Sequence, residues 1–479
     1  MKNKKIKVTI LLLILVILAF GSFILFNNLN DSELQTITSK KDLEKIYDGD
    51  MNYNSESNLF TDALGMPFTF FAKLDDVSYN YVDYTGYNDL TEVLRDSDGI
   101  NPSNYSSKAS NESSFSNDFS TTNIQVENVD EADITKTDGN YIYSISESDV
   151  IVTNARNPED LKISYTINIT DGIPEDLILY KDKLVVISSD LGVRASSYYK
   201  QSSNTIVKIY DVKDKEKITL TKSYTLHDPY YTSRCIDNKL YVISCGNLRK
   251  ENDNIVTYYT EDNSRNELEL NDISYLKSIH TKKQTLISML DLDDEKSKLS
   301  VKSYLFDISN AYVSQNSIYL LNYKYEYSYN ATVPPVSSLF GLTGAFGPFI
   351  YENNDIYNNY GYYTQIYKFD ILKNGEIKYN SKTEIKGKTI NQFSLDEYNE
   401  NLRVALFDDN GSRVVIFDKQ LKILGETPYL APGETMYSSR FLGDKAYLVT
   451  YKNVDPLYVI DVSNPTNPTV LGELKIPRI

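Results

Sequence analysis

Polar and apolar positions along this chain alternate in short runs that keep returning in one form. An apolar strand follows Asn or Lys, the chain turns, and a second strand ends on Asp. The first member of the pair reads Ile142-Tyr143-Ser144-Ile145, Leu184-Val185-Val186-Ile187, Leu240-Tyr241-Val242-Ile243, Ile318-Tyr319-Leu320-Leu321, Leu402-Arg403-Val404-Ala405-Leu406 and Ala446-Tyr447-Leu448-Val449. The second member closes on Asp211, Asp291, Asp370, Asp418 and Asp461, with Asn154 in the equivalent place of the first pair. Runs this short, bounded by Asp, Asn, Gly and Pro, are strands, so residues 121–479 read as all-β. Units repeated at this scale bury their apolar faces only against their neighbours. The anchors at 142, 184, 240, 318, 402 and 446 lie 42 to 84 residues apart. The shorter spacings suit a four-stranded blade, and the longer ones demand insertions or a degenerate extra blade. The expected architecture is a β-propeller with six recognisable blade units. The recurring Asp is expected to accept backbone N–H groups in the turn after its strand, a reading preferred over a repeated metal ligand.

The N-terminal part follows a different pattern. Residues 6–26 form an apolar run of 21 residues whose one charge is Lys7 at its start, long enough to span a bilayer as a helix. Lys2, Lys4, Lys5 and Lys7 precede or open it, which leaves residues 1–5 as a cytoplasmic tail and sends the rest outside. The competing reading is a signal peptide cut before Ser22, with Ala19 and Gly21 as the small residues. No Cys lies near the segment, so a lipid-modified cysteine anchor is excluded. Residues 27–120 read as a polar stalk. Within it, Ser39-Lys40-Lys41-Asp42 resembles a capping box that opens a short helix over 40–47. Residues 96–120 have the Ser, Asn, Asp and Thr composition of a disordered linker. Between helix and linker, Phe60, Phe68, Phe70 and Phe71 offer aromatic residues for docking on the folded body.

Charge narrows the partners. The formal net charge is −17, with four lysines in the first seven residues, so the exported part is more acidic still. Such a body repels nucleic acid and anionic headgroups and attracts cations or basic partners. Cys235 and Cys245 flank one strand. If Asp237-Asn238 form the hairpin turn, Cys235 faces Leu240 and Cys245 lies about 16 Å further along, beyond the reach of a disulfide, so two free thiols are expected.

Glu127, Asp130, Glu131, Asp133 and Asp138 crowd five carboxylates beside the first unit. Glu127, Asp130, Glu131 and Asp133 are the candidate ligands for a hard cation such as Ca²⁺, the only cofactor considered. The EF-hand spacing does not fit, because Lys136 and Ile134 stand where ligands would be needed before Asp138. Turn capping, with Lys136 as a local counter-ion, is the competing reading. A second candidate is a binding loop. Tyr319, Tyr323, Tyr325, Tyr327 and Tyr329 share one parity along a strand and so present a row of phenols. The row leads into Val333-Pro334-Pro335 and a Gly-rich apolar segment with Phe340, Phe346 and Phe349. Such a loop is either a recognition lip or a structural plug. Only His227 and His280 are present, Trp is absent, and no Gly-rich phosphate loop precedes a helix. Histidine metal centres, Ser-His-Asp catalysis and nucleotide phosphate binding therefore have no support in the residues.

The run Thr122-Asn123-Ile124-Gln125-Val126-Glu127-Asn128-Val129-Asp130-Glu131-Ala132-Asp133 resembles an uncharacterised family of secreted or membrane-anchored proteins with a C-terminal β-propeller distantly related to WD-40 repeats. Asn391-Gln392-Phe393-Ser394-Leu395-Asp396, Ala431-Pro432-Gly433-Glu434 and Asp455-Pro456-Leu457-Tyr458-Val459-Ile460-Asp461 are similar to later blocks of that family, in its order, as is the ending Leu471-Gly472-Glu473-Leu474-Lys475-Ile476-Pro477. The chain departs from the pattern at Asn128, where the family has Gly, and after Ile479, where the family continues. The resemblance implies either a truncated or split product or a ring closed with fewer blades, and a partial ring leaves strand edges exposed. It implies no reaction.

Together these readings predict a single-pass, membrane-anchored propeller outside the cell that binds a peptide, glycan or protein. The alternative is a glycan hydrolase, which needs only two carboxylates about 5–9.5 Å apart in an aromatic pocket.

Overall fold

The apolar strand pairs fold as the two central strands of six four-stranded antiparallel meanders. A computed structural model of the protein describes residues 34–48, 124–190, 204–277, 279, 281–327, 360–451 and 455–476. The first meander is Thr135–Thr137, Tyr141–Ser146, Asp149–Asn154 and Lys162–Asn168; the second is Gly172–Tyr180, Lys183–Asp190, Thr205–Asp211 and Thr219–Leu226. The third is Tyr230–Ile236, Lys239–Asn247, Lys283–Asp291 and Ser300–Leu305; the fourth is Asn310–Val313, Ser317–Tyr327, Tyr360–Ile371 and Ile377–Lys386. The fifth is Leu395–Tyr398, Asn401–Asp408, Gly411–Phe417 and Ile423–Glu426, and the sixth is Thr435–Leu442, Lys445–Tyr451, Asp455–Asp461 and Thr469–Ile476.

The central strands of the second to fifth sheets are apolar on both faces because each of these sheets is sandwiched between two others. Leu184, Val185, Val186 and Ile187 are all fully buried, the even positions against the first sheet and the odd ones against the third. Five apolar clusters join the six sheets in series, first to second through fifth to sixth. Among the described residues no cluster joins the sixth sheet to the first, and no strand of one pairs with a strand of the other. Leu442, Leu471 and Leu474 of the sixth sheet and Ile134 and Ile163 at the first are accordingly exposed.

The recurring Asx forms the expected turn. The Oδ1 atoms of Asn154, Asp211, Asp291, Asp418 and Asp461 accept from the backbone N–H two residues on, at 2.9–3.1 Å. In four of these turns a second Asx repeats the bond three residues later: Asn157, Asp214, Asp294 and Asn464 accept from Glu159, Glu216, Lys296 and Thr466. Asp370 departs from the rule, its Oδ2 accepting from Asn380 Nδ2 at 2.7 Å. The long spacing between Leu240 and Ile318 is filled by insertions. A hairpin, Arg249–Glu251 with Asn254–Val256, is followed by Tyr258–Glu261 and Ser264–Glu267, which extend the second sheet, and by Ile273–Leu276, which joins the third in parallel with Ser300–Leu305. Cys235 pairs with Leu240 as the hairpin predicts, and Cys245 lies opposite Thr285. Both thiols are free, and burial pushes each up to about 12.

Two segments tie the sheets together. The sequence places 27–120 in a stalk, but Leu34–Thr36 pairs with Ile273–Leu276 as an edge strand, and the helix Lys40–Asp48 buries Leu43 and Ile46. This corrects the stalk boundary: three strand residues covering an edge, plus Ile37, Leu43 and Ile46 in contact with the body, outweigh the polar composition around them. Ser39 caps the helix as predicted, its Oγ accepting from Asp42 N at 3.2 Å and donating to Asp42 Oδ2 at 2.6 Å. The other tie is the strap Gln125–Asp133. Val129–Glu131 pairs with the third sheet, Asp133 bridges Leu177 of the second, and Gln315, beside the fourth, donates to Glu127 O. Gln125 Nε2 reaches the fifth, donating to Gln392 O and Leu395 O at 3.1 and 2.9 Å.

Among the described residues no helix is long and apolar enough to cross a membrane. Residues 6–26, the linker 96–120 and Phe60, Phe68, Phe70, Phe71, Phe340, Phe346 and Phe349 lie outside the described residues.

Candidate functional site

The four acids proposed for a cation are separated by the strap they sit on. Alternate residues of Val129–Glu131 face opposite sides, which sends Asp130 and Glu131 apart. Asp130 accepts from Lys136 Nζ at 2.8 Å, with Lys136 itself buried beneath it; burial raises the Asp130 carboxyl and the lysine opposes that rise. Glu131 accepts from Gln125 N at 3.1 Å and Gln392 Nε2 at 3.3 Å and lies 3.8 Å from the Arg234 guanidinium. Asp133 accepts from Ile134 N at 2.7 Å, and Glu127 is exposed. These carboxylates are held by the strap's own structure, and among the described residues no group of three or more His, Cys, Asp or Glu side chains is placed to hold a metal ion.

The tyrosine row divides along its strand. Tyr319 is fully buried between the fourth and fifth sheets, donating to Glu397 Oε2 at 2.8 Å. Tyr323 lies next along and is hydrogen-bonded to Thr389, 2.6 Å from its Oγ1. Both hold the sheets together. Tyr325, two residues further, is 37% exposed and meets Tyr362 directly across the strand pair, ring centroids 4.7 Å apart and edge-on. Tyr327 pairs with Tyr360 in the ladder.

The Tyr325–Tyr362 pair forms one wall of a cleft of about 350 Å³ where the fourth, fifth and sixth sheets meet. The fourth sheet contributes these rings and Gly361. The linker into the fifth brings Lys388, the fifth brings Phe407, Asp408 and Asp409, and the sixth closes the cleft with Gly433, Glu434 and Thr435. Lys388 is fixed at both backbone atoms, its N–H donating to Phe407 O and its carbonyl accepting from Phe407 N, each at 2.9 Å. That anchorage directs its side chain over the rings, with Nζ 4.2 Å from the Tyr362 centroid and 5.4 Å from that of Tyr323. Burial lowers the Lys388 ammonium from its ordinary value, and among the described residues no carboxylate lies within ion-pair distance of it. In the same cleft Asp408 accepts from Asn410 N and Tyr429 OH at 2.7 and 2.9 Å, and Glu434 accepts from Thr450 Oγ1 at 2.5 Å. Sequence reasoning reached Tyr325 but missed Tyr362, Lys388 and the acids. The one signal available was Tyr360-Gly361-Tyr362-Tyr363, a second aromatic run at the return of the insertion.

The histidines take no part. His227 stacks on Tyr258 at 4.2 Å, its Nε2 is 3.0 Å from Thr260 Oγ1, and burial with the charges of Arg249 and Arg265 pulls it down to about 4. His280 lies outside the described residues. The carboxyls that burial raises are Asp130, Asp176 and Asp228, and none lines the cleft.

Six meanders packed in series through their faces are the geometry of propeller blades, and a beta propeller domain model matches residues 119–477. The chain belongs to the beta propeller domain family. Its blades are the six sheets. Two relatives, each described as an uncharacterised protein, come from Methanocaldococcus jannaschii and Archaeoglobus fulgidus. The first is 26% identical over 452 residues, covering 83% of this chain and 67% of its own length. The second is 26% identical over 419 residues, covering 75% and 64%. The chain thus spans about two thirds of the length of each relative. Among solved structures, the N-terminal domain of Nup159 aligns with 73% of the chain and 78% of its own at 11% identity and a TM-score of 0.30. The C-terminal WD40 domain of Sif2 aligns with 73% and 89% at 8% identity and a TM-score of 0.26. Likenesses at that level carry no argument about this propeller.

Proposed function

We propose that this propeller is a ligand-binding module, with the cleft between the fourth, fifth and sixth blades as its site, on a body held outside the cell by residues 6–26. The observation that carries the reading is the Tyr325–Tyr362 pair, two part-exposed aromatic rings in a concave surface beside both a lysine and carboxylates. Exposed aromatic faces with a few convergent polar groups are the usual makings of a recognition site. The hydrolase alternative is weaker here. A glycosidase needs two free carboxyls about 5–9.5 Å apart, whereas Asp408 already accepts from Asn410 N and Tyr429 OH and Glu434 from Thr450 Oγ1.

The test is a panel of soluble glycans and short peptides screened against the full chain by ligand-observed NMR. Binders are expected to weaken at least about tenfold in Tyr362→Ala, the loss typical of a central aromatic contact, with the circular dichroism unchanged. Undiminished binding in that variant overturns the reading. Turnover of a glycan that disappears in Asp408→Asn replaces it with the hydrolase. The topology is tested by protease treatment of intact cells, which should remove the propeller; full protection would refute an outside body.

A further inference from the structure

Lys388 is the cleft group whose chemistry the propeller itself leaves unanswered. Its backbone is locked to Phe407, its stem is half-buried, and its Nζ rests on the faces of Tyr362 and Tyr323, whose π systems accept no conventional hydrogen bond in place of an oxygen. The two buried lysines among the described residues each have an oxygen partner: Lys136 pairs with Asp130, and Lys368 donates to Lys419 O. Lys388 instead lines a cleft that also carries Asp408, Asp409 and Glu434, none of them within ion-pair distance of its ammonium. The cleft therefore holds an ammonium without an anionic acceptor, an excess of carboxylate, and the aromatic surface of Tyr325 and Tyr362.

We propose that the cleft takes a short basic peptide with a free C-terminal carboxylate: the carboxylate accepts hydrogen bonds from Lys388, the aliphatic or aromatic side chains lie on Tyr325 and Tyr362, and the peptide's cationic groups meet Asp409 and Glu434. A purely anionic ligand would satisfy Lys388 and be repelled by the cleft's carboxylates and by the net charge of −17. A purely cationic one would leave the ammonium unanswered. A zwitterion with separated charges satisfies both. Burial of the lysine sharpens this preference, since a part-desolvated ammonium gains more from a carboxylate than a fully solvated one does.

The proposal rests on the cleft being the binding site, and the test separates the two. The tripeptide Lys-Phe-Phe is titrated against the full chain as the free acid and as the C-terminal amide, which keeps the lysine and loses the carboxylate. The free acid is expected to bind at least about tenfold more tightly, the worth of one charge-assisted hydrogen bond. Lys388→Gln should abolish that ratio while leaving the amide's affinity unchanged. Asp409→Asn should weaken both forms while leaving the ratio intact. Equal binding of acid and amide, a ratio that persists in Lys388→Gln, or no binding of either form overturns the peptide assignment. In the last case a glycan whose binding still depends on Tyr362 would leave the cleft as the site and refute only its ligand.

Discussion

Asp228 offers the sharpest test of the interior. It lies in the loop between the second and third blades, 1% exposed, and its Oδ2 accepts from Gln284 Nε2 at 2.8 Å. The Gln284 amide is oriented by Thr257 and Ser303, which both donate to its Oε1. Asp228 Oδ1 has no hydrogen-bond partner, and it faces the α-carbon of Gly246, where a Cβ would stand only 2.0 Å from it. Burial pushes the carboxyl from 3.8 up to about 7; the Arg249 charge and the Gln284 hydrogen bond oppose the rise without cancelling it. The other charged or titratable groups around this seam are His227, Arg265, Glu251 and Asp190. Because the folded pKa lies above the unfolded one, the contribution to stability is fully present below about pH 4 and is lost as pH rises through about 7. A shift of about 3 units corresponds to about 4 kcal/mol between the two ends of that window. Asp228→Asn removes the ionisation and places an amide N–H where Oδ1 lacks a partner, at a penalty of about 1–3 kcal/mol. The variant should therefore be less stable than the parent at pH 4, where nearly all of the parent's contribution is still present, and more stable at pH 8 by about 1–3 kcal/mol, a crossover read from urea unfolding of both proteins at the two pH values. A variant destabilised equally at pH 4 and pH 8 would show that the carboxylate is ionised in the fold throughout, and would refute the reasoning.

Two further perturbations test neighbouring seams. Gly246→Ala drives a methyl into Asp228 Oδ1 and should cost about 1–3 kcal/mol or more by overpacking; in a thermal melt, Asp228→Ala in the same chain should recover part of the loss, and strict additivity would refute the contact. Glu397 Oε2 accepts from both Ser314 Oγ and Tyr319 OH between the fourth and fifth blades, at 2.7 and 2.8 Å. Glu397→Ala leaves Tyr319 OH without its acceptor, while Ser314 Oγ still reaches Ser317 O at 3.3 Å, and should cost about 1–3 kcal/mol. Tyr319→Phe added to it should cost much less than it does alone, and a double-mutant cycle with no coupling would refute the shared bond.

How much could be read from the sequence depended on where each strand sits in its blade. In the second to fifth blades the second and third strands are buried on both faces and so announce themselves as apolar runs, such as Leu184–Ile187 or Val414-Val415-Ile416. The outer strands do not: Lys162–Asn168 and Thr469–Ile476 are largely exposed, and their alternation is too weak to mark them. Leu34–Thr36 is three residues long, below any periodicity, and only the edge of Ile273–Leu276 makes it a strand. The turn chemistry of Asp211 or Asp461 was legible because it is local, a carboxylate and a backbone N–H two residues away. The cleft was not, since Tyr362, Lys388, Asp408 and Glu434 come from three blades and no spacing connects them.

The same distinction says where function should be sought in a repeated fold. A residue that recurs in each blade does in each blade what the blade requires, and the Asx turn after the third strand is of that kind. Selection for one ligand at one place would break the repeat instead. Lys388 stands in the linker between the fourth and fifth blades, over the ring of Tyr362. The linker between the fifth and sixth blades is tied differently, Leu430 bonding back to Ser412 of the fifth blade through both its amide and its carbonyl. Asp228 likewise occupies one linker only, opposite a glycine that no other central strand carries in that position: six residues on from the anchors Leu184, Ile318 and Leu402 stand Asp190, Lys324 and Asp408. Both departures put an ionisable group where packing alone would have chosen an apolar one, which is why the cleft and the Asp228 seam, rather than the conspicuous acidic strap, are the places to perturb.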